Sequence, residues 1–275
     1  GFHALYNNTT AANNTAVGSE ALLSNQTGTE NVAIGRKTLR VNTTSNNTAV
    51  GSNALFANTT GAGNVAVGTF ALDANNNIGI GYFSLSNNTT GTRNIAIGTS
   101  ALLANTTADN NTAIGYNALV ANTTADGNTA VGYVALTSNT TGHNNTAVGK
   151  EALDANTTGT HNTAIGVQAL SANTTGVRNV SVGFQNMVFN TTGGYNSAIG
   201  DNALRENRSG INNVAIGASA LRQNVSGDKN VAVGAFCLRD NTTGEQNVAL
   251  GVYSLDANTT ADFNTAIGAY SLSAN

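Results

Sequence analysis

Proline and tryptophan are absent from this sequence, cysteine occurs once, and charged residues are rare. Charged side chains make up 9% of the 275 residues, whereas a typical globular domain has about 25%. Asparagine, threonine and serine must therefore solvate the surface. The net charge of −3 and the lack of a basic stripe argue against nucleic acid as a partner. A mean hydropathy of −0.11, together with regularly spaced apolar residues, argues against disorder.

The motifs of enzymes and metal sites are also missing. Cys237 occupies a repeat position that mostly holds Ala, Ser or Thr, and no histidine is near it in register, so we expect a small buried thiol. His3, His143 and His161 lack the ligand spacing of a zinc site. The sequence has no nucleophile elbow, P-loop or dinucleotide fingerprint. We therefore predict no enzyme and no catalytic, metal or cofactor site.

Long apolar segments are missing as well. A membrane-spanning helix is suggested by an apolar run of about 18 residues or more. No run in this sequence approaches that length, and no signal peptide is recognised. The chain opens and closes in the middle of a repeat, without the atypical end units that solubilise repeat arrays. We therefore expect residues 1–275 to be a single repeat array, cut from a longer fibre or capped by neighbouring subunits, with any targeting or anchoring sequence outside it.

What the sequence does contain is one repeat, seen most clearly in NTAIGYNALVANTTADG at Asn111–Gly127. An Asn stands four residues before each glycine from Gly18 onward, and another Asn stands seven residues after every glycine of the series. A glycine recurs at every seventeenth position, except for a step of sixteen from Gly35 and a step of thirteen from Gly68. The glycines are Gly1, Gly18, Gly35, Gly51, Gly68, Gly81, Gly98, Gly115, Gly132, Gly149, Gly166, Gly183, Gly200, Gly217, Gly234, Gly251 and Gly268.

The length of the repeat decides the fold class. Helical repeats need about 33 residues or more for a helix pair, whereas a period of about 17 residues suits one turn of a β-solenoid. The sequence therefore predicts an all-β fold, a parallel β-solenoid or β-roll of about 17 coils without caps. At a rise of roughly 4.8 Å per coil, the array would extend about 80 Å.

Within one coil, side-chain alternation predicts which residues face inward. We expect Thr112 and Ile114 to point into the core, and Ala113 and Gly115 to form a face of small residues against which another backbone packs. We expect a second short strand at 118–121, with Leu119 inward. Asn122 begins a return loop rich in turn-forming residues. Identical asparagines one coil apart predict hydrogen-bonded ladders along the axis.

The pentapeptides NVAIG at Asn31–Gly35 and NVAVG at Asn64–Gly68 resemble the head repeats of YadA-like trimeric autotransporter adhesins. The longer unit at Asn111–Gly127 resembles NTAVG/NTAIG repeats of phage tail fibres and bacterial surface fibres. The resemblance implies a left-handed β-roll, three chains packed through small residues, surface display and adhesion, and it carries over no catalytic residue. These coils are longer than typical adhesin-head coils, and no stalk, barrel anchor or chaperone domain is present.

The most repeated chemical signal is Asn-x-Thr/Ser, which begins at fifteen of the seventeen loop asparagines. Such sequons predict either N-glycosylation or a turn that needs a hydroxyl-to-backbone bond. Glycans on one edge would keep a weakly charged array from associating laterally. The candidate asparagines are Asn8, Asn25, Asn42, Asn58, Asn88, Asn105, Asn122, Asn139, Asn156, Asn173, Asn190, Asn207, Asn224, Asn241 and Asn258.

Charged residues stack in two places. Arg205, Arg222 and Arg239 each lie five residues after a glycine and should form one column. Neighbouring carboxylates favour a surface ion-pair network, and the alternative is contact with an anionic glycan or partner. Asp109 and Asp126 should lie in adjacent loops, but two carboxylates are a weak signal for calcium.

Three functions are compatible with these patterns. The first is a structural component of an extracellular, cell-surface or virion fibre, built from copies of itself as a trimer or polymeric filament. The second is an adhesin or tail-fibre shaft that binds glycans or a host surface through the arginine column and the variable corners, which include Tyr82, Phe83, Tyr116 and Tyr133. The third, ice binding, is less favoured because adjacent loop threonines would point to different sides.

Overall fold

In the computed structural model, which describes residues 1–72 and 76–273, the chain is all-β and every strand has three residues. No helix occurs among the described residues. The strands are β1 Thr15–Val17, β2 Val32–Ile34, β3 Thr48–Val50, β4 Val65–Val67, β5 Ile78–Ile80, β6 Ile95–Ile97, β7 Thr112–Ile114, β8 Thr129–Val131, β9 Thr146–Val148, β10 Thr163–Ile165, β11 Val180–Val182, β12 Ser197–Ile199, β13 Val214–Ile216, β14 Val231–Val233, β15 Val248–Leu250 and β16 Thr265–Ile267.

Two compact units divide the chain, one spanning Gly1–Val131 and the other beginning at Gly132. In the first, β1 to β8 pair in parallel, each with the next strand of the sequence. In the second, β9 to β16 do the same. This confirms a parallel β-solenoid with a roughly 17-residue repeat. The strands of the described residues number sixteen, one fewer than the glycines, because no strand precedes Gly1.

The two short repeats leave the strand register intact. Val32 pairs with Thr48 across the shorter step that follows Gly35, and Val65 pairs with Ile78 across the shortest step, which follows Gly68. The missing residues therefore come out of the loop, as the sequence predicted. Part of the shortest loop, including Asn75, lies outside the described residues, as does Asn275.

The predicted orientation of the strands was wrong. Ala113, at the centre of β7, is fully buried, whereas Ile114 is 37% exposed. The same inversion holds in almost every described coil, where the central Ala is buried and the flanking Thr, Val or Ile is half-buried or exposed. The interior beside the strand is narrow, because a Cβ added at Gly79 would lie 3.1 Å from Leu72 Cβ and 3.4 Å from Ser84 O, and the largest residue at the central position is Ser181. The small residue at the centre of each strand therefore faces the interior of its own coil.

The glycine row lies where successive coils touch. Gly51 has φ +133°, and a Cβ added there would lie 2.5 Å from the carbonyl oxygen of Gly68 in the next coil. Real Cβ atoms do not approach backbone oxygen so closely, and this φ is outside the range that L-residues adopt. The close backbone approach predicted for these glycines is therefore correct, but the neighbour is the next coil of the same chain.

The second predicted strand does not form. After each glycine the chain runs through turns in which the second and fourth residues are left-handed, as at Asn117 (φ 53°) and Leu119 (φ 52°). This backbone still bonds to the next coil, since Leu102 N–H donates to Ala118 O at 3.0 Å. A left-handed residue costs roughly 1–2 kcal/mol, which the burial of each leucine offsets. Leu119 does point inward, as predicted.

The interior of a coil is therefore thin and partly polar. It contains the strand alanine, the alanine and leucine of the turn, and two asparagines. Met187 replaces the leucine in one coil and is equally buried. Cys237 is buried as predicted, and its Sγ donates to Ala249 O at 3.1 Å. Burial raises the pKa of the Cys237 thiol to about 11, so it is not a reactive thiolate at neutral pH.

Candidate functional site

The loop asparagines, which carry the sequons, form the first polar ladder of the solenoid. Asn105 Nδ2 donates to Asn88 Oδ1 of the preceding coil at 2.8 Å and to Ala108 O of its own coil at 3.2 Å. The same pair of bonds recurs at Asn156, which donates to Asn139 Oδ1 at 2.8 Å and to Gly159 O at 3.0 Å. The predicted asparagine ladder is present, and it uses the nitrogen to which a glycan would be attached.

The glycosylation hypothesis therefore does not fit the folded chain. A glycan on Nδ2 needs that atom at the surface, and fourteen of the fifteen candidate asparagines are buried, while Asn8 is half-buried. The sequon pattern is better explained by the turn alternative. The fourteen buried residues are Asn25, Asn42, Asn58, Asn88, Asn105, Asn122, Asn139, Asn156, Asn173, Asn190, Asn207, Asn224, Asn241 and Asn258.

The asparagines that precede the strands form a second ladder. Asn179 N–H and Nδ2 both donate to Asn162 Oδ1, at 3.0 and 3.1 Å, and Nδ2 also donates to Gly193 O at 2.8 Å. Asn179 Oδ1 in turn accepts from Asn196 N–H and Nδ2, each at 3.1 Å. One buried amide thus links three consecutive coils, and every donor and acceptor it has is used.

The two loop threonines have different roles. Thr106 Oγ1 donates to Thr123 O of the next coil at 3.2 Å, and Thr157 does the same to Thr174 O at 3.1 Å. The second threonine of most pairs, such as Thr107, is exposed, whereas Thr44 is half-buried and its Oγ1 donates to Asn42 Oδ1 at 3.0 Å. The loops therefore present one nearly continuous row of exposed hydroxyls, joined in the first unit by a few exposed first threonines such as Thr59. A flat array that orders water as ice does would need at least a second row beside it, so ice binding stays unfavoured.

The arginine column is only partly neutralised. Arg205 bonds Glu206 and lies 4.9 Å over the ring of Phe189. Arg239 donates to Asp240 through Nε at 2.8 Å and Nη2 at 2.7 Å, and this bond raises the pKa of Arg239 and lowers the pKa of Asp240. The predicted ion-pair network is therefore present at these two arginines.

Arg222, the middle member of the column, differs from its neighbours. Within the described part of the chain, no carboxylate lies within 4.0 Å of its guanidinium group. The neighbouring Gln223 instead donates to Asp240 Oδ1 at 2.7 Å. Sequence reasoning could not single out Arg222, because all three arginines occupy the same repeat position.

The other predicted clusters do not converge on a metal site. Asp126 Oδ1 accepts from Asp109 N–H at 2.7 Å, and Asp109 Oδ1 accepts from Thr92 N–H at 2.6 Å, so both carboxylates bond the backbone of the preceding coil. His143 and His161 lie edge to face with centroids 5.3 Å apart. Among the described residues, no group of three or more His, Cys, Asp or Glu side chains could hold a metal ion.

The outer face of the strands is a surface that sequence reasoning missed. It consists of the first and third residues of each strand and is mainly aliphatic. Among the third residues of the strands in the second unit, leaving out the last coil, Ile165 (41%) and Ile199 (45%) are the most exposed. Apolar side chains in adjacent coils form a continuous patch of the kind that marks an interaction site. The corner tyrosines, Tyr82, Tyr116 and Tyr133, are exposed as predicted, whereas Phe83 is half-buried.

Asp154 introduces a pH dependence that the repeat pattern did not predict. Desolvation by burial, reinforced by the charge of Glu151, raises the pKa of Asp154 to about 6. Its Oδ1 has no hydrogen-bond partner among the described residues. Between about pH 4 and pH 6 the folded chain thus binds more protons than the unfolded chain, so stability falls as pH rises through this window.

We predict that Asp154→Asn removes the loss of folding stability that Asp154 causes as the pH rises. At pH 7.5 the variant should be more stable than the original chain by about 1 kcal/mol, reduced from the full shift because the group is only half-buried. The gain should vanish near pH 4. Urea unfolding across this pH range measures it, with Asp201→Asn at an exposed position as the control. A gain that does not change with pH would contradict the assignment.

Comparison with protein-family models and with curated proteins finds no match. Among the described residues, no helix has the length and hydropathy of a membrane-spanning segment.

Proposed function

We propose that this protein is a structural component of an extracellular or virion fibre, in which a repetitive solenoid provides reach and surface display. The observation that carries the proposal is the asparagine ladder, in which each amide bonds the coils on either side of it. Such a ladder makes each unit stiff along its axis and can be extended by adding coils. The location outside the cell or on a virion rests on the resemblance of the repeats to surface adhesins and tail fibres.

Copies of the same chain are the partner that the outer face favours. The face is mainly aliphatic, is built on parallel strands and contains no charged residue in the described strands of either unit. Burial of apolar surface contributes about 25 cal/mol per Å², so two or three such faces in contact would stabilise an assembly. A trimer or a polymeric filament would enclose the faces and leave the variable corners outside.

The assembly is tested by placing charge on the outer face. We predict that the double variant Ile165→Lys, Ile199→Lys weakens self-association by at least about tenfold, because each lysine would have to be desolvated in the interface. Sedimentation velocity over a range of protein concentrations measures this. Ile211→Lys is the matched control, since Ile211 is 37% exposed but lies in the loop before β13 and is not part of a strand.

Electron microscopy of the same samples tests the fibre role itself. The original chain should form elongated particles whose assembly depends on concentration, and the control variant should behave alike. A chain that remains a compact monomer at all concentrations, or a double variant that assembles like the original, would overturn the proposal.

A further inference from the structure

The second unit contains a surface pocket of about 300 Å³ beside the arginine column. This volume is at the lower end of the range for small-molecule sites. Its lining comes from three adjacent coils and consists of Glu206, Arg208, Arg222, Gln223, Val225 and Thr242. We infer that this pocket is a binding site for an acidic sugar, whose carboxylate is held by the guanidinium groups of Arg208 and Arg222.

Two departures from the loop pattern change the lining of the pocket. In most coils the residue after the loop asparagine is threonine, as at Thr242, whose Oγ1 donates to Thr259 O at 2.9 Å. Arg208 and Val225 occupy this position in two successive coils. The backbone is unchanged, because Arg208 N–H still donates to Val225 O at 2.9 Å. The substitutions therefore alter the chemistry of the surface and leave the coil stacking in place.

The charge balance of the pocket favours an anion. Glu206 bonds Arg205, and Asp240 bonds Arg239, so these charges offset one another in pairs. Arg208 and Arg222 are both exposed and, within the described residues, neither has a carboxylate within 4.0 Å. The charge of Arg222 also contributes to the lowered pKa of Asp240 from beyond that distance, so the positive charge of the pocket is carried by two guanidinium groups that are not directly ion-paired. Guanidinium groups bind carboxylate, sulfate and phosphate oxygens through paired hydrogen bonds.

The other lining groups favour a sugar over a bare ion. The pocket is much larger than a single oxyanion, and it includes hydrogen-bonding groups of both kinds. A Glu206 carboxylate oxygen would repel a second anionic group but would accept a bond from a sugar hydroxyl. The Gln223 and Thr242 side chains offer further polar contacts, and Val225 provides an apolar surface for a sugar ring. A carboxylate and several hydroxyls on one ring, as in a uronic acid, match this lining.

Calorimetric titration of the full chain with galacturonic acid tests the inference. Its methyl ester is the matched neutral probe, and inorganic sulfate is the bare-anion probe. We expect the acid to bind, its affinity to fall with added salt, and the other two probes to bind at least about tenfold more weakly. Arg222→Gln and Arg208→Gln should each weaken the acid about tenfold or more, since each removes a charge-assisted pair of bonds.

Lys229→Gln is the control, because Lys229 is an exposed cation of the same unit that does not line the pocket. It should leave the affinity unchanged. The inference would be overturned if the acid did not bind, if the methyl ester bound equally well, or if the Lys229 variant lost as much affinity as the arginine variants. If sulfate bound as tightly as the acid, the pocket would be a site for free anions and not for a sugar. None of these results depends on self-association. A failure of the binding experiment would therefore leave the fibre proposal untouched, and a failure of the assembly experiment would leave the binding site untouched.

Discussion

Gly51→Ala is expected to destabilise the first unit by more than about 3 kcal/mol. The added methyl group would lie 2.5 Å from the Gly68 carbonyl oxygen and 2.7 Å from its carbonyl carbon. Because these are backbone atoms of a hydrogen-bonded coil, they cannot move aside without separating the coils. The backbone at Gly51, with φ +133°, adds its own cost of about 1–3 kcal/mol for a residue with a side chain. Chemical unfolding followed by circular dichroism measures the change.

Gly63→Asn provides the control in the same coil. Gly63 has φ +69°, and a Cβ there would contact only Asn76 Oδ1, at 3.0 Å. Asn13 and Asn46 occupy the equivalent position in other coils with φ 59° and 63°. The substitution should therefore change stability by less than about 0.5 kcal/mol. If the Gly51 and Gly63 variants lost similar stability, close stacking of the glycine row would be the wrong explanation.

Asn179→Ala should cost the second unit about 3 kcal/mol or more. The change removes four side-chain hydrogen bonds and leaves the Asn196 N–H and the Gly193 carbonyl without their partners in a buried site. Each buried polar group left unsatisfied costs about 1–3 kcal/mol. Urea unfolding measures the total, and hydrogen exchange should show faster exchange at the Asn196 amide.

Thr175→Ala, in the same coil, is the control because Thr175 is exposed in the loop. It should change stability by less than about 0.5 kcal/mol. A loss below about 1 kcal/mol at Asn179 would mean that the ladder contributes little, and the argument for axial stiffness would fail with it.

The stacking of the coils could be predicted from the sequence because it depends on length and repetition. A period of about 17 residues is too short for a helix pair, and identical asparagines in successive coils can bond one another. The burial of Leu119 and of Cys237 also followed, since each occupies a position that is small or apolar in nearly every coil.

The direction of the strand face could not be predicted, and the reason is geometric. Alternation separates Ala113 from its neighbours Thr112 and Ile114 but does not say which set faces inward. Hydrophobicity favoured Ile114, whereas in the structure Ala113 is fully buried and Ile114 is 37% exposed. The turn segment that follows each strand contains left-handed residues, as at Asn117 and Leu119, and these have no signature in side-chain propensity. Leucine is disfavoured in that conformation, so a strand was predicted there instead.

The candidate sites differ in how well the sequence predicts them. A sequon is defined by residue type alone, and burial of Asn105 and its equivalents depends on a loop that turns inward. The arginine column was predicted correctly as a column, but the pairing of Arg205 and Arg239 and the isolation of Arg222 depend on side-chain directions. Arg208 was recognisable only as a departure from the loop pattern.

The distance between exposed loop residues in the second unit tests the stacking of coils most directly. Nitroxide labels on cysteines replacing Thr141 and Ser209, four coils apart, or Thr141 and Thr243, six coils apart, are measured by double electron–electron resonance with Cys237 replaced by Ala. Parallel stacking predicts that the second distance exceeds the first by about 10 Å, or roughly 4.8 Å per coil. Equal distances, or a separation that does not grow with the number of coils, would contradict a parallel solenoid.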